Sequence, residues 1–475
     1  MKELSAEFLQ ELKAVGGSLL TKPEELLVYE QDGLTIYKGR ASAAVLPKSA
    51  DQVSKIVSLC SRHKVPFIAR GAGTSLSGGT IPIEGGVIIE FALMNRILEV
   101  DLENGLVLVE SGAVNLSVSQ AVSSSGYFYA PDPSSQLVCT IGGNIAHNSG
   151  GPHTLKYGVT THNIVGAEVV LANGDIVWLG GKAVDKIGYD LLSLLFGSDG
   201  TLAIVTKALL KIVPKQQDVR LIMASFEKPE DASVAVSNII GAGVLPSAVE
   251  MMDDLVIGAV EDSIHAAGYP RDAGAVLLVE VDGRIEDVED GIGKVLKICK
   301  ANGAKQVRVA TDEHERKQLW EGRKGAFASM GRLGPNYIVQ DGVIPRTKLP
   351  EILSKVYQIS RNYSLKIANV FHAGDGNLHP LIIYDAAKGE TEKAVRASGE
   401  TLKICVDAGG TITGEHGIGV EKRDLMPMIF DEVDLGMMMK VKETFDPENI
   451  CNPCKTLPFG GRCAELFPSP KVEKR

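Results

Sequence analysis

Two histidine-bearing stretches carry most of the chemistry that this chain can be expected to do. The first, His372-Ala-Gly-Asp-Gly-Asn-Leu-His379, is centred on Asp375-Gly376, a dipeptide favoured in the type I′ turn of a two-residue β-hairpin. A hairpin centred there would join Ile367–Phe371 to Leu378–Ile383 and pair residue 372 with 379. Both imidazoles would then project from one face, with Cβ atoms roughly 5 Å apart, close enough to share a metal ion. The second, Thr413-Gly-Glu-His-Gly-Ile-Gly419, sets Glu415 beside His416 among glycines. Such spacing suits a backbone that must come close to a substrate. Two histidines and one carboxylate are the donor set of an open zinc site or of a non-haem iron centre. An imidazole ordinarily titrates near ~6.5, so a neighbouring histidine could accept a hydroxyl proton at neutral pH.

The glycine-rich stretches point to a different partner. In Arg70-Gly-Ala-Gly-Thr-Ser-Leu-Ser-Gly-Gly-Thr80 the backbone N–H groups can approach a pyrophosphate with no Cβ in the way. This is not the Rossmann fingerprint, because Leu76 stands at the third glycine position and Ser77–Pro82 cannot open a helix over the phosphates. A second loop runs from Pro131-Asp-Pro-Ser-Ser-Gln136 into Thr140-Ile-Gly-Gly-Asn-Ile-Ala-His-Asn-Ser-Gly-Gly151 and on to Lys156-Tyr157-Gly158. Two such stretches in one β-rich region could wrap both ends of an extended dinucleotide.

The elements that must position these residues can be read from periodicity. Phe8, Leu12 and Val15 recur at helical spacing until Gly16-Gly17 stops them. A β-α-β unit follows: strand Ala43–Leu46, helix Ser49–His63, strand Val65–Ala69. From Pro82 to Pro214 the pattern is of short strands around one helix, Leu116–Ser125, and Asn173-Gly174 predicts a hairpin with both turn residues at positive φ. Beyond Lys215 the order is β (Val219–Phe226), α (Pro229–Gly241), β (Ser247–Met252), β (Ala275–Asp282), α (Ile285–Asn302), β (Gln306–Ala310), which is ferredoxin-like. A final helix is expected near Val433–Phe445. The resulting division is an N-terminal helical segment (1–36), a cofactor domain (37–216), a cap or substrate domain with the histidines (217–424), and a C-terminal segment returning to the cofactor domain (425–475).

Composition narrows the function classes. The chain has 475 residues, 51 of them glycine, with 49 Lys and Arg against 59 Asp and Glu, a net charge of −10. A basic footprint for nucleic acid is absent. No apolar run approaches a membrane span, and Met1-Lys2-Glu3-Leu4-Ser5 opens no signal peptide. Seven cysteines, an odd number, read as reduced thiols of a cytoplasmic protein. Cys451, Cys454 and Cys463 are one thiol short of a Cys₄ cluster, so plain thiols are expected there.

Taken together, Arg70-Gly-Ala-Gly-Thr-Ser75, Gly142-Gly143-Asn144, Phe196-Gly-Ser-Asp-Gly-Thr-Leu202, Ile204-Val-Thr206 and the two histidine motifs span almost the whole chain. In them the sequence resembles the vanillyl-alcohol-oxidase / p-cresol-methylhydroxylase (VAO/PCMH) family of FAD proteins, and within it the D-lactate dehydrogenase and glycolate oxidase branch. The resemblance implies an α+β fold: a VAO/PCMH-type FAD-binding domain, a ferredoxin-like α/β cap domain and a C-terminal helical segment. It implies that FAD is held by Arg70, Gly71, Ala72, Gly73, Thr74 and Ser75 of the first loop. Pro133, Thr140, Gly143, Asn144, Asn148, Ser149, Tyr157 and Gly158 would hold it from the second, and the Ile204 backbone would reach the flavin ring. Relatives with covalent flavin often carry histidine where Thr74 stands, so non-covalent FAD is expected.

The resemblance further assigns His372, His379 and Glu415 to a Zn²⁺ or Fe²⁺ ion, His416 to the catalytic base, and Arg323 to the substrate carboxylate. The reaction implied is oxidation of a D-2-hydroxy acid, D-lactate or glycolate, to the 2-oxo acid. Relatives acting on 2-hydroxyglutarate carry extra polar residues near Val339 and Leu381, so a small monocarboxylate is expected here. Without an NAD fingerprint or iron–sulfur motif, electrons would leave to an electron-transfer flavoprotein, an iron–sulfur subunit or a quinone, and such a partner could bring the protein to a membrane. A non-catalytic flavin carrier subunit is the competing reading, and an intact base-and-ligand set argues against it. A non-redox flavin transferase of the same fold is disfavoured by the acidic charge and the absence of a targeting segment.

Overall fold

The computed structural model describes residues 4–82, 85–183 and 188–458. The chain divides into two compact units. Among the described residues, one contains those up to Gly150, Gly158–Lys215 and those from Glu415 on; the other contains Gly151–Tyr157 and Gln216–Gly414.

The first unit is built on two sheets. Helix Ala6–Val15 begins where the Ser5 hydroxyl accepts the Phe8 N–H, buries Phe8 and Leu12, and stops at Gly16 with φ +92°. Helix Ala50–His63 is capped in the same way by Ser49 and ends at Lys64 in the left-handed region. The flanking strands, Ala43–Leu46 and Phe67–Arg70, do not pair with each other. Val87–Glu90 lies between them, parallel to both, and Ser18–Leu20 closes the other edge in antiparallel sense.

The second sheet of this unit is antiparallel throughout, in the order Ile97–Asp101, Leu106–Glu110, Ala203–Lys211, Ile164–Leu171, Ile176–Gly180. The Asn173-Gly174 hairpin forms, but with a wider turn than expected. Val170 pairs with Ile176, and only Gly174 has positive φ, at +96°. The Asn173 side chain accepts the Asp175 N–H, which holds Asn173 itself at ordinary φ and makes the glycine alone the left-handed residue.

The second unit is one antiparallel sheet, ordered Gln306–Val309, Asp218–Phe226, Ala275–Gly283, Ala248–Asp253, Ile367–His372, Asn377–Tyr384, Asn336–Val339. Its first four members, taken in chain order, lie 4-1-3-2, the ferredoxin-like arrangement, and the last three extend that sheet. Alternation along the strands decides what each face carries. Leu221, Met223, Ala248, Met252, Val276, Leu278, Ala368, Val370, Leu381 and Ile383 form an apolar core with Val256, Val260, Leu319 and Trp320 from the helices Asp254–Glu261 and Glu313–Lys324. Glu250, Glu280, His372 and His379 have the same parity, so they sit on that covered face.

Candidate active site

The histidine hairpin is displaced in register from the two-residue turn. His372 pairs with Asn377 and Val370 with His379, so the loop is 373–376 and the two histidines are diagonal neighbours, not opposite ones. Two local bonds explain the wider loop. The Gly374 N–H is taken by Val249 O of the adjoining strand at 3.1 Å, and the Asp375 carboxylate accepts the Asn377 N–H at 3.1 Å. Only Gly376 adopts positive φ, +83°, whereas a type I′ turn would need it at Asp375 as well. The histidines still share a face, with ring centroids 4.9 Å apart and planes perpendicular.

Both rings are buried, and each has Nδ1 turned to an oxygen acceptor. His372 Nδ1 lies 2.8 and 3.0 Å from the two carboxylate oxygens of Glu250, and His379 Nδ1 lies 3.2 Å from Gln340 O. An acceptor at Nδ1 selects the tautomer protonated there and leaves the lone pair on Nε2, the form in which histidine binds a metal. The donor set of this unit therefore fits a divalent ion.

Arg323, expected to meet the substrate carboxylate, is 1% exposed, and its Nη2 is 2.5 Å from Glu250. In this state its guanidinium is committed to a carboxylate of the protein. Burial alone would push the Glu250 carboxyl up, but Arg323 and His372 outweigh it, and the net direction is down. Asp341, fully buried, accepts from the Thr413 hydroxyl at 2.5 Å and from the Gly414 N–H at 3.0 Å. This anchors the chain one residue before Glu415.

In the first unit a cleft is lined by Arg70, Gly71, Thr140, Gly142, Gly143 and Ile204, among others. Both glycine stretches contribute, and they touch: a Cβ on Gly71 would fall 2.1 Å from Thr140 Oγ1, and one on Gly142 would meet Ser111 at 2.9 Å. A wall that excludes side chains this strictly keeps backbone at the cleft surface, where a pyrophosphate can come close to it. The second stretch is in part a helix, Ile141–His147, where the sequence suggested a loop. The Thr140 hydroxyl accepts the Gly143 N–H, and Asn148 ends the helix at φ +54°.

The remaining expected cofactor residues are placed in varied ways. Arg70 braces the loop by donating to Gln31 O at 2.9 Å, Val28 O at 3.2 Å and the Thr80 hydroxyl at 3.2 Å. Gly73, at φ +69°, leaves the room that this guanidinium occupies. The Ser75 hydroxyl faces that of Ser77, and Asn144 accepts from the Asn115 amide. Ala72, Thr74, Pro133, Asn148, Ser149 and Gly158 are not among the lining residues of the cleft. Tyr157 belongs to the second unit, where its hydroxyl donates to Asp282 at 2.5 Å.

Two cleft residues escaped the sequence reading. Asp199 sits between Ser198 and Gly200 at φ +53°, and its Oδ1 is 3.0 Å from His147 Nδ1. Its Oδ2 accepts the Gly419 N–H at 2.7 Å and the Thr456 hydroxyl at 2.8 Å. Asp199 thus fixes the loop that carries His416, whose Nε2 is 3.7 Å from Glu415 Oε1. The available signal was an acidic residue in the glycine-rich turn Gly197-Ser-Asp-Gly200.

The C-terminal cysteines need one correction. Cys451 is a buried free thiol directed at Gly200 O, but Cys454 is disulfide-bonded, so the expectation of plain thiols fails for it. From the sequence a metal cluster or a regulatory disulfide ranks below plain thiols, and at Cys454 it is the disulfide that forms, while Cys451 is turned away into the core. Cys463 lies outside the described residues.

A unit with a glycine-walled cleft and a second, ferredoxin-like unit with buried histidines are the parts of a flavin-dependent oxidoreductase. Comparison with known proteins agrees: residues 41–180 match the FAD binding domain model, and residues 215–456 match the model described as FAD linked oxidases, C-terminal domain. The chain belongs to the FAD-linked oxidases and is an FAD-binding oxidoreductase. It is 45% identical over 97% of its length to the glycolate oxidase subunit GlcD of Escherichia coli K12, covering 94% of that protein. It is 33% identical to a D-lactate dehydrogenase of Anaerostipes hadrus, over 95% of this chain and 98% of that one. The solved structure of p-cresol methylhydroxylase with substrate bound has the same fold, with TM-score 0.78 at 20% identity over 94% of this chain and 95% of the other. No helix among the described residues is long and apolar enough to cross a membrane.

Proposed function

We propose that this chain oxidises a small D-2-hydroxy acid, glycolate or D-lactate, to the 2-oxo acid and passes the electrons to a partner protein or a quinone. The observation that carries this reading is the 45% identity to a glycolate oxidase subunit over nearly the full length of both chains. That relative is named as a subunit, which supports a partner chain; an iron–sulfur protein or an electron-transfer flavoprotein would take the electrons.

Bound FAD supplies the two-electron acceptor for the α-hydrogen of the substrate. His372, His379 and Glu415 would hold a Zn²⁺ or Fe²⁺ ion, whose chemistry is Lewis-acid polarisation of the substrate hydroxyl. His416 takes the hydroxyl proton at a ring nitrogen, and Asp199 keeps its loop in place through the Gly419 N–H. Val339 and Leu381 pair across their strands and are 6% and 0% exposed, so they offer no polar partner for a second carboxylate. This favours a monocarboxylate. With Thr74 at the position where relatives attach flavin, FAD is held without a covalent bond and should be released by acid precipitation.

The test is anaerobic flavin bleaching by glycolate, D-lactate, L-lactate and D-2-hydroxyglutarate in single turnover. Rapid bleaching by glycolate or D-lactate is expected, and a flavin reduced by none of the four would overturn the reading. His416→Ala should keep FAD and slow reduction by roughly 10²–10⁴-fold, the usual loss for a general base. An unchanged rate would remove His416 from the mechanism.

A further inference from the structure

We propose that Glu250 is a positioning residue for the metal site: it fixes the ring and tautomer of His372, and Arg323 is its built-in counter-ion. The inference rests on the metal reading above and extends it to residues that do not bind the ion.

The placement follows from the sheet. Glu250 stands directly opposite His372 in the antiparallel pair between Ala248–Asp253 and Ile367–His372, so the two side chains leave the same face side by side. Both carboxylate oxygens lie within 3.0 Å of His372 Nδ1, and Glu250 is fully buried. A carboxylate in that setting must be paired, because an isolated buried charge is too costly to keep. The partner comes from the helix Glu313–Lys324, whose Arg323 reaches Glu250 at 2.5 Å with 1% of its own side chain exposed.

The same helix presents Arg316 and Trp320 to Glu280, at 3.0 and 2.7 Å. Residues 316, 320 and 323 form one helical stripe over two carboxylates, so Arg323 is held by the packing of a whole helix. A carboxylate–histidine–metal relay of this kind orients the ligand and raises its basicity. His379 Nδ1 instead faces the Gln340 backbone carbonyl at 3.2 Å.

The experiment measures Zn²⁺ affinity by chelator competition on FAD-loaded protein, with flavin absorbance and thermal melting as controls for folding. Glu250→Gln should weaken Zn²⁺ binding by roughly 10–100-fold while FAD stays bound, the range found when the hydrogen-bond partner behind a metal ligand is lost. Because that variant strands the Arg323 charge, a Glu250→Gln/Arg323→Met double variant, which buries no lone charge, should fold and show the same loss. Glu250→Asp, which restores a carboxylate, should recover part of the affinity. A purely structural role would lower the melting temperature of Glu250→Gln and leave the Zn²⁺ affinity of folded protein unchanged, and that result overturns the proposal. His372→Ala and His379→Ala, measured alongside, separate the two readings. If they bind Zn²⁺ as tightly as the parent, the metal assignment itself falls. If they lose Zn²⁺ while both Glu250 variants keep it, only the relay falls.

Discussion

Each unit of the molecule is tied together by buried carboxylates, and the two do it with different donors. In the FAD-binding unit Asp199 gathers the Gly419 N–H, the Thr456 hydroxyl and His147, while its own carbonyl accepts the Asn452 amide. In the other unit Glu250 and Glu280 sit on adjoining strands and are met by Arg323, Arg316 and Trp320 of a single helix. The backbone explains the contrast. Regular strands satisfy most of their own N–H and C=O groups, so a carboxylate kept charged between them recruits side chains that include cations. Loops 415–419 and 451–456 have no ladder to satisfy their donors. One acidic side chain supplies the missing acceptors there, and its left-handed backbone points both oxygens inward.

The largest effect is expected at the loop carboxylate. Asp199→Ala leaves the Gly419 N–H and the Thr456 hydroxyl without their acceptor and removes the charge beside His147, a loss on the order of 3–5 kcal/mol in stability. Asp199→Asn keeps one acceptor oxygen and a side chain that tolerates positive φ, so about half that loss is expected. Denaturant unfolding followed by flavin fluorescence reads both. Equal losses would mean that the charge matters more than the acceptor geometry, and two neutral variants would erase the contrast between the units.

A smaller loss is expected at Glu280. Glu280→Gln can still accept from Trp320 Nε1, and Arg316 keeps its bonds of 2.8 and 3.0 Å to Glu313. The guanidinium is also partly exposed and can rehydrate, so about 1–3 kcal/mol is expected by the same denaturation assay. A loss as large as that of Asp199→Ala would show that strand carboxylates are no easier to replace than loop ones.

This contrast also separates what was legible in the sequence from what was not. Strands and helices of the second unit could be read because alternation and helical spacing are local, and Glu250 in the apolar run Ala248–Met252 was visible as a charge inside a buried strand. Its pairing with His372 was not visible, because it depends on which strands adjoin. The histidine pair was read correctly as sharing a face, but its register was missed: the turn geometry was inferred from Asp375-Gly376 alone, while Val249 of a third strand claims Gly374. The glycine stretches revealed a cleft, yet the role of Asp199 arises from chain segments more than two hundred residues apart in sequence, Asp199 and Gly419. No local pattern encodes such a closure.

The smallest effect is a dependence on pH that sorts carboxylates by their donors within one unit. Glu280 is held at about 2: burial pushes it up, but the His153 hydrogen bond and charge, Trp320 and Arg316 outweigh that. Asp253 is met only by the Val256 N–H and by the N–H and side-chain amide of Asn369, all neutral, and burial pushes it up to about 7. The signs are opposite. Glu280 has a folded pKa below its ordinary 4.5, so its contribution is complete above that pH and is lost as pH falls towards 2. Asp253 has a folded pKa above its ordinary 3.8, so its contribution is present below that pH and is lost as pH rises through 7. Each can tilt stability by at most about 1.4 kcal/mol per pH unit. Glu280→Gln should therefore flatten the acid limb of the stability profile below pH 4.5, and Asp253→Asn should flatten the decline between 3.8 and 7. Unfolding free energies measured across that range give the answer. Two variants that flatten the same limb would mean that burial alone, and not the charge of the donors, sets the behaviour of carboxylates on this sheet.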